Sequence, residues 1–439
     1  MIPSAGLSLE QAPPFSVPLR FFLTAPWFLV LAALLMLWQG SSIFASRWPP
    51  ATLALTHLLT LGFMAQVMLG ALLQMLPVVV GVVVPQPRWV AALIHVPLTL
   101  GTLVLAFAFL ASSPVSFQIA FVLLALAFGV ALTAVHIALW RAPVANGTVI
   151  AMRCALAALL ITVGLGLLLA GFFGWGWLVS VVLVADLHAV WGLIGWTVLL
   201  VAGVAYQVVP MFQMTPSYPP WFVRGFAPLM AAILVLWSVA KMAEWPIATR
   251  VAGLVLAVGV TVFTATTGHL VRQRRRKIGD PTLNYWRISM ASLAAAALLL
   301  FLEQIIPIWG QAPQTDLMLG VLLIFGFAVA VINSMLYKIV PFLAWFHLQA
   351  ELLGRAKVPN MKQLLPDAKI QRQGWAYLAA LLLLLAAGFY PTVFVYPAAL
   401  ALGITGAWLG INLARVGQTY YRLLQTLPAT AGPTKEKSA

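Results

Sequence analysis

One cysteine, Cys154, stands in 439 residues. An intrachain disulfide, a thiolate zinc site and an iron–sulfur cluster each need two or more thiols, so none can form within this sequence. Charge is almost as scarce. Only 8% of residues are charged, and nine of those are acidic. A soluble domain of this length needs a charged shell that nine carboxylates and twenty-four bases cannot supply. Polar–apolar alternation over ~10-residue segments, the mark of a membrane barrel strand, is missing too. What fills the sequence instead is apolar: 63% of residues are hydrophobic and the mean hydropathy is +1.02. The apolar runs last ~20 residues, the length of a helix crossing a ~30 Å hydrocarbon core. In lipid such a segment must pair its own backbone groups, which a helix does.

Twelve spans are predicted, at about 21–41, 53–77, 89–111, 117–140, 150–173, 185–210, 225–243, 247–271, 288–309, 317–341, 375–391 and 393–414. Residues 1–20 then form a cytoplasmic N-terminus and 417–439 a cytoplasmic tail, around one transmembrane domain over 21–416. With that orientation twenty-one of the twenty-four Lys and Arg fall on the cytoplasmic side, and only Arg47, Lys241 and Arg250 fall outside. The isoelectric point near 10.5 is therefore read as a topology signal beside anionic lipid and not as a nucleic-acid surface. The basic run Arg272, Arg274, Arg275, Arg276, Lys277 is the densest such anchor. Residues 1–19 have no basic leader, so no cleaved signal peptide is expected, and a bacterial inner membrane is the expected location. The longest loop, 342–374, is expected to hold a short interfacial helix.

An internal repeat organises the chain. Residues 62–77 read GFMAQVMLGALLQMLP, 195–210 read GWTVLLVAGVAYQVVP and 326–341 read GFAVAVINSMLYKIVP. Each begins with Gly and an aromatic residue and has a small residue ninth (Gly70, Gly203, Ser334). A Gln or Lys stands thirteenth (Gln74, Gln207, Lys338) and a Pro last (Pro77, Pro210, Pro341). The Pro is expected where each helix leaves the membrane. His136 and His269, 133 residues apart, give a second echo, with Asn412 as a third-unit counterpart. The expected fold is an all-α membrane protein of three pseudo-symmetric four-helix units, about 21–140, 150–271 and 288–414.

Ionisable side chains at membrane depth usually mark function. His57 and His188 lie in the outer parts of the second and sixth spans, 131 residues apart, and are expected to face the bundle axis at one depth. Two such imidazoles suit a bis-His haem or a copper ion. Gly192, Gly195 and Tyr206 are expected to share the face of His188, with Met64, Met68 and Met75 on the face of His57. Asp186 and Asp316, near the outer ends of spans six and ten, are candidates to orient the imidazoles through their free ring nitrogens. Glu244 and Glu303 also lie toward the outside, and the four carboxylates are equally open to an ion or proton path or to solvated helix ends. His136, His269 and His95 are second-choice metal ligands, and His347 is placed in the cytoplasmic loop without a role.

The segment from His57 to Pro77, followed by VVVG, resembles the second helix of the haem-copper oxidase catalytic subunit. The segment from His188 through AYQVVP resembles that family's sixth helix, and twelve helices in three arcs are its architecture. PLRFFLTAPWFLVLAALLMLW and HLLTLGFMAQVMLGALLQMLP further resemble the NnrS branch, membrane proteins associated with haem, copper and the bacterial nitric-oxide response. The resemblance implies that His57 matches a low-spin haem ligand and His188 a copper ligand. The tenth span, DLMLGVLLIFGFAVAVINSMLYKIVP, has none of the family's histidines there, and the seventh has none of its pair. The implied function is thus a haem- or metal-binding membrane protein, with a possible redox partner but no full oxygen-reducing binuclear centre. The alternative is a permease using Asp186, Asp316, Asn333 and Lys338 along a polar path.

Overall fold

The computed structural model describes residues 11–275, 279–306, 312–352 and 357–425. Arg276 and Lys277 of the basic run, and most of the expected terminal segments, lie outside the described residues. Among the described residues twelve helices are long and apolar enough to cross a membrane. They are α1 (Ser16–Phe44), α2 (Pro50–Val78), α3 (Pro87–Ala111), α4 (Pro114–Trp140), α5 (Gly147–Trp175) and α6 (Val181–Gln213). The second half comprises α7 (Pro220–Met242), α8 (Pro246–Arg272), α9 (Thr282–Ile305), α10 (Pro313–Leu352), α11 (Asp367–Phe389) and α12 (Pro391–Gln425). No strand occurs among the described residues.

Their starts follow from local chemistry. Proline opens α2, α3, α4, α7, α8, α10 and α12, where its missing N–H costs nothing. Ser113 accepts a bond from the Ser116 N–H at the start of α4, and Asn146 does the same for Val149 in α5. The repeat's closing prolines do not end their helices. α6 continues past Pro210 to Gln213, and α10 continues past Pro341 to Leu352. One proline removes one ladder bond, and packing on both sides carries the helix through it. The first third of the loop expected over 342–374 is therefore helix, followed by a single helical turn at Met361–Leu364.

Neighbours recur along the chain. α1, α5 and α9 pack on α2, α6 and α10 respectively, and α12 meets α1 as α4 meets α5 and α8 meets α9. In α2, α6 and α10 the most apolar stretch is 78%, 61% and 78% buried, against 22% to 56% in the other nine, so these three form the middle of the bundle. Each also carries a widened π-helical stretch: Leu58–Ala65, Trp191–Val198 and Val321–Val329. The stretch in α10 touches the other two. Inside each lies the repeat's opening glycine, and a Cβ there would sit 2.2 Å from the Phe28 ring, 2.9 Å from Ala158 and 2.5 Å from Ser292. Only glycine lets the first helix of each set come that near. π-turns are rare and cluster at functional sites.

Candidate functional site

His57 ends the α-helical part of α2, one residue before its π-stretch, and His188 precedes the π-stretch of α6 by three. Their rings are 6.2 Å apart between centroids and inclined by 22°. Each is held by a backbone carbonyl: His57 Nδ1 lies 2.7 Å from Leu53 O, and His188 Nδ1 lies 2.9 Å from Thr162 O on α5. A carbonyl can only accept, so both Nδ1 atoms carry the hydrogen and both Nε2 atoms keep a lone pair. Phe109 of α3 also stacks with His57, 5.4 Å between centroids.

Both rings line one cavity of about 380 Å³. Its wall comes from α2 to α6, with Ile324 of α10 at the back, and includes Met64, Phe117, Phe173 and Trp196. The histidines thus face a chamber to one side of the three middle helices and not the bundle axis. The reason is register. In the repeat, His57 stands five residues before Gly62 and His188 seven before Gly195, so on a helix they project in different directions. The π-stretches also break the even rotation on which the expected faces depended. Met64 and Gly192 line the chamber, Met68 and Met75 do not, and Gly195 packs on Ala158 of α5.

Asp186 and Asp316 do not orient either imidazole. Asp186 Oδ1 accepts from Arg47 at 2.6 Å, and its Oδ2 is 3.0 Å from Lys241 Nζ. Asp316 Oδ2 is 3.2 Å from Arg47 Nε. Carboxylates this near two cations are claimed by them, because a charge pair outweighs a neutral imidazole N–H. Arg47 therefore ties the α1–α2 connection to α6 and α10, and stacks on Trp48 at 4.4 Å. It borders two chambers, the histidine cavity and a second one of about 360 Å³ lined by Asp186, Glu303, Gln304 and Asp316. Glu244, in a left-handed turn between α7 and α8, is exposed and lies outside both.

The other histidines are dispersed. His95 Nε2 is 2.9 Å from Thr24 Oγ1, tying α3 to α1. His136 stacks on Trp140 at 4.4 Å, and His269 contacts Gln273 at 2.8 Å, both at exposed helix ends. Asn412, by contrast, is fully buried, with its amide donating to the Tyr337 hydroxyl at 3.2 Å. His347 sits on the extended α10 beside Phe15, not in a loop.

Two residues of the site escaped the sequence. Gly166 on α5 gives His188 its room, since a Cβ there would lie 2.9 Å from the ring. Arg47 read as a stray outer cation, although its pairing could have been drawn from being one of three such cations beside two outer aspartates.

A resident metal was tested against this geometry. Among the described residues no three His, Cys, Asp or Glu side chains are placed to hold one metal ion, which does not suit a closed tetrahedral site. Two imidazoles whose Nε2 atoms are left free at one cavity would suit a group that takes two nitrogen ligands, and His57 and His188 would be the residues to hold it. The Met64 thioether on the same wall adds a soft donor of the kind copper(I) accepts. Compared with known proteins, the chain matches no family model and no curated protein.

Proposed function

We propose that this multi-span membrane protein binds haem or a copper ion through His57 and His188, as its resemblance to haem-copper oxidases and the NnrS branch implies. One observation carries the reading: both rings are pinned through Nδ1 to carbonyls, leaving two Nε2 lone pairs at one apolar chamber. The two bonds have different origins, an i−4 carbonyl on its own helix for His57 and a carbonyl of α5 for His188, yet both leave the same nitrogen at the chamber. Second-partner bonds of this kind fix ligand orientation and raise basicity in metal sites. Phe109, Phe117 and Phe173 would keep water from the metal, and Arg47 at the rim offers a cation to an anionic substituent of a macrocycle. Such a group, when bound, would supply one-electron transfer or ligation of a small gas such as nitric oxide. The recurring neighbours and π-stretches support an origin by duplication of a four-helix unit, in a bacterial inner membrane with both termini cytoplasmic.

The test is reconstitution of the purified chain with haem, and separately with copper(I). A Soret band or stoichiometric copper is expected in the wild type. His57→Ala and His188→Ala should lose or strongly alter it to similar degrees, while His347→Ala retains it. A wild type that stays colourless and copper-free under excess cofactor refutes the reading.

A further inference from the structure

We propose that the outer chamber under Arg47 binds a small organic monocation, an ammonium group on an apolar body, with Glu303 as its counter-charge. This chamber of about 360 Å³ sits one repeat along from the histidine chamber. Leu53, Thr56, His57, Thr60 and Leu61 of α2 line the histidine chamber. The residues 133 positions later, Asp186, Ala189, Val190, Leu193 and Ile194 of α6, line the outer one. A second wall follows the same rule. Ala185, His188, Ala189, Gly192 and Leu193 of α6 line the histidine chamber. Their counterparts 131 positions later, Asp316, Leu319, Gly320, Leu323 and Ile324 of α10, line the outer one. A chance packing defect would not be walled twice at the block spacings. The outer chamber is thus the same pocket used again with different chemistry. Val190 and Leu319 stand at the register of His57 and His188, so both imidazoles have given way to alkyl side chains. Asp186 and Asp316 stand at the register of Leu53 and Ala185, and Glu303 of α9 adds a third carboxylate.

Charge pairing leaves one of these carboxylates open. Arg47 pairs with Asp186 and Asp316, and Lys241 pairs with Asp186, so two cations balance two aspartates. Glu303, half-buried near the end of α9, has no ion pair or hydrogen bond among the described residues. An unpaired carboxylate beside an apolar wall is costly, and a cation brought against it offsets that cost. Three carboxylates might be taken for a metal site, yet among the described residues no three such side chains are placed to hold one ion. The rest of the wall suits an apolar body. Leu256, Val260 and Leu300 belong to it, and so do Phe44, Trp237 and Phe325, whose ring type attracts a cation that reaches its face. An apolar wall with a few placed charges is the usual make-up of a small-molecule site. Arg47 and Asp316 are 33% and 40% exposed, which opens the chamber to solvent at its charged end.

The probe is radiolabelled benzyltrimethylammonium, whose charge is permanent. It is equilibrated by dialysis with the full chain in lipid nanodiscs and, in parallel, with empty nanodiscs. No cofactor at His57 and His188 is needed, so the outcome is separate from that of the haem and copper reconstitution. Saturable binding of one cation per chain is expected. Phenylmethanesulfonate, an anion of similar shape, and benzyl methyl sulfone, its neutral relative, should not displace it. Glu303→Gln should weaken binding by roughly tenfold or more, as when one partner of a buried charge pair is removed. Gly320→Leu should weaken it as much, because a Cβ at this chamber-lining position meets nothing within 4 Å and the side chain fills the space. Glu244→Gln, at an exposed carboxylate outside both chambers, should leave binding unchanged. If Glu303→Gln fails to assemble, Gly320→Leu and the two competitors decide. A proton resident on Glu303 would give Glu303→Gln the wild-type affinity, and that result overturns the proposal. So does binding no greater than to empty nanodiscs, displacement by the sulfone, or wild-type affinity in Gly320→Leu.

Discussion

Gly166 offers a quantitative test of how His188 is held. A Cβ at Gly166 would meet the ring 2.9 Å away at Cε1 and 3.3 Å away at Nδ1, the atom that donates to Thr162. The ring must then turn, and its buried N–H loses the carbonyl. An orphaned buried donor costs about 1–3 kcal/mol. Set against this is the helix preference of alanine over glycine, about 1 kcal/mol. Gly164, one half-turn away on α5, has open space at its Cβ position and supplies the reference. Gly164→Ala gains the propensity term alone, and Gly166→Ala gains it but loses the bond. Subtracting one from the other removes propensity and leaves the cost of displacing His188, about 1–3 kcal/mol. Unfolding in mixed micelles, followed by circular dichroism, reads both variants. Cofactor affinity should fall about 10–100-fold in Gly166→Ala, as when an outer partner of a metal ligand is removed, and stay near wild type in Gly164→Ala. Two variants that shift stability in the same direction by the same amount would refute the placement of the ring.

Further outcomes follow from the charge distribution. Burial alone would raise the Asp280 carboxyl, but Lys338 and Thr282 outweigh it and hold the group below its ordinary value of 3.8. A depressed folded-state pKa adds stability above the unfolded value that is lost as pH falls through the folded one. Asp280→Asn should therefore cost about 1 kcal/mol in neutral unfolding titrations, and that cost should shrink as the pH is lowered through the folded-state value; a cost that does not change with pH refutes the pairing. Reporter fusions at Gly279 and Gln311 should read cytoplasmic and external respectively, because the basic run precedes one and α9 separates them. An external reading at Gly279 would invert the orientation.

Much of the architecture was legible because lipid leaves so few choices. Continuous apolar runs without alternation admit only helices, and among the described residues twelve are found where twelve were expected, with most starts and several ends shifted outward where interfacial turns continue the ladder. The repeat's opening glycines, 133 and 131 residues apart, lie on the three helices that fill the middle. What sequence spacing could not supply was rotation. A π-stretch inserts its extra residue silently, so the faces expected for Met68, Met75 and Gly195 were turned away from the chamber.

Composition and periodicity thus determined solvent and span number, since each follows from the cost of unpaired backbone and unpaired charge in hydrocarbon. Only the tertiary structure decided partners. Arg47 meets Asp186 across 139 residues, His188 meets Thr162 on another helix, and Tyr285 meets Gln373 across 88. Such contacts depend on how each helix is turned and how near its neighbour comes, and a long-range pair leaves no period in the chain from which to read it.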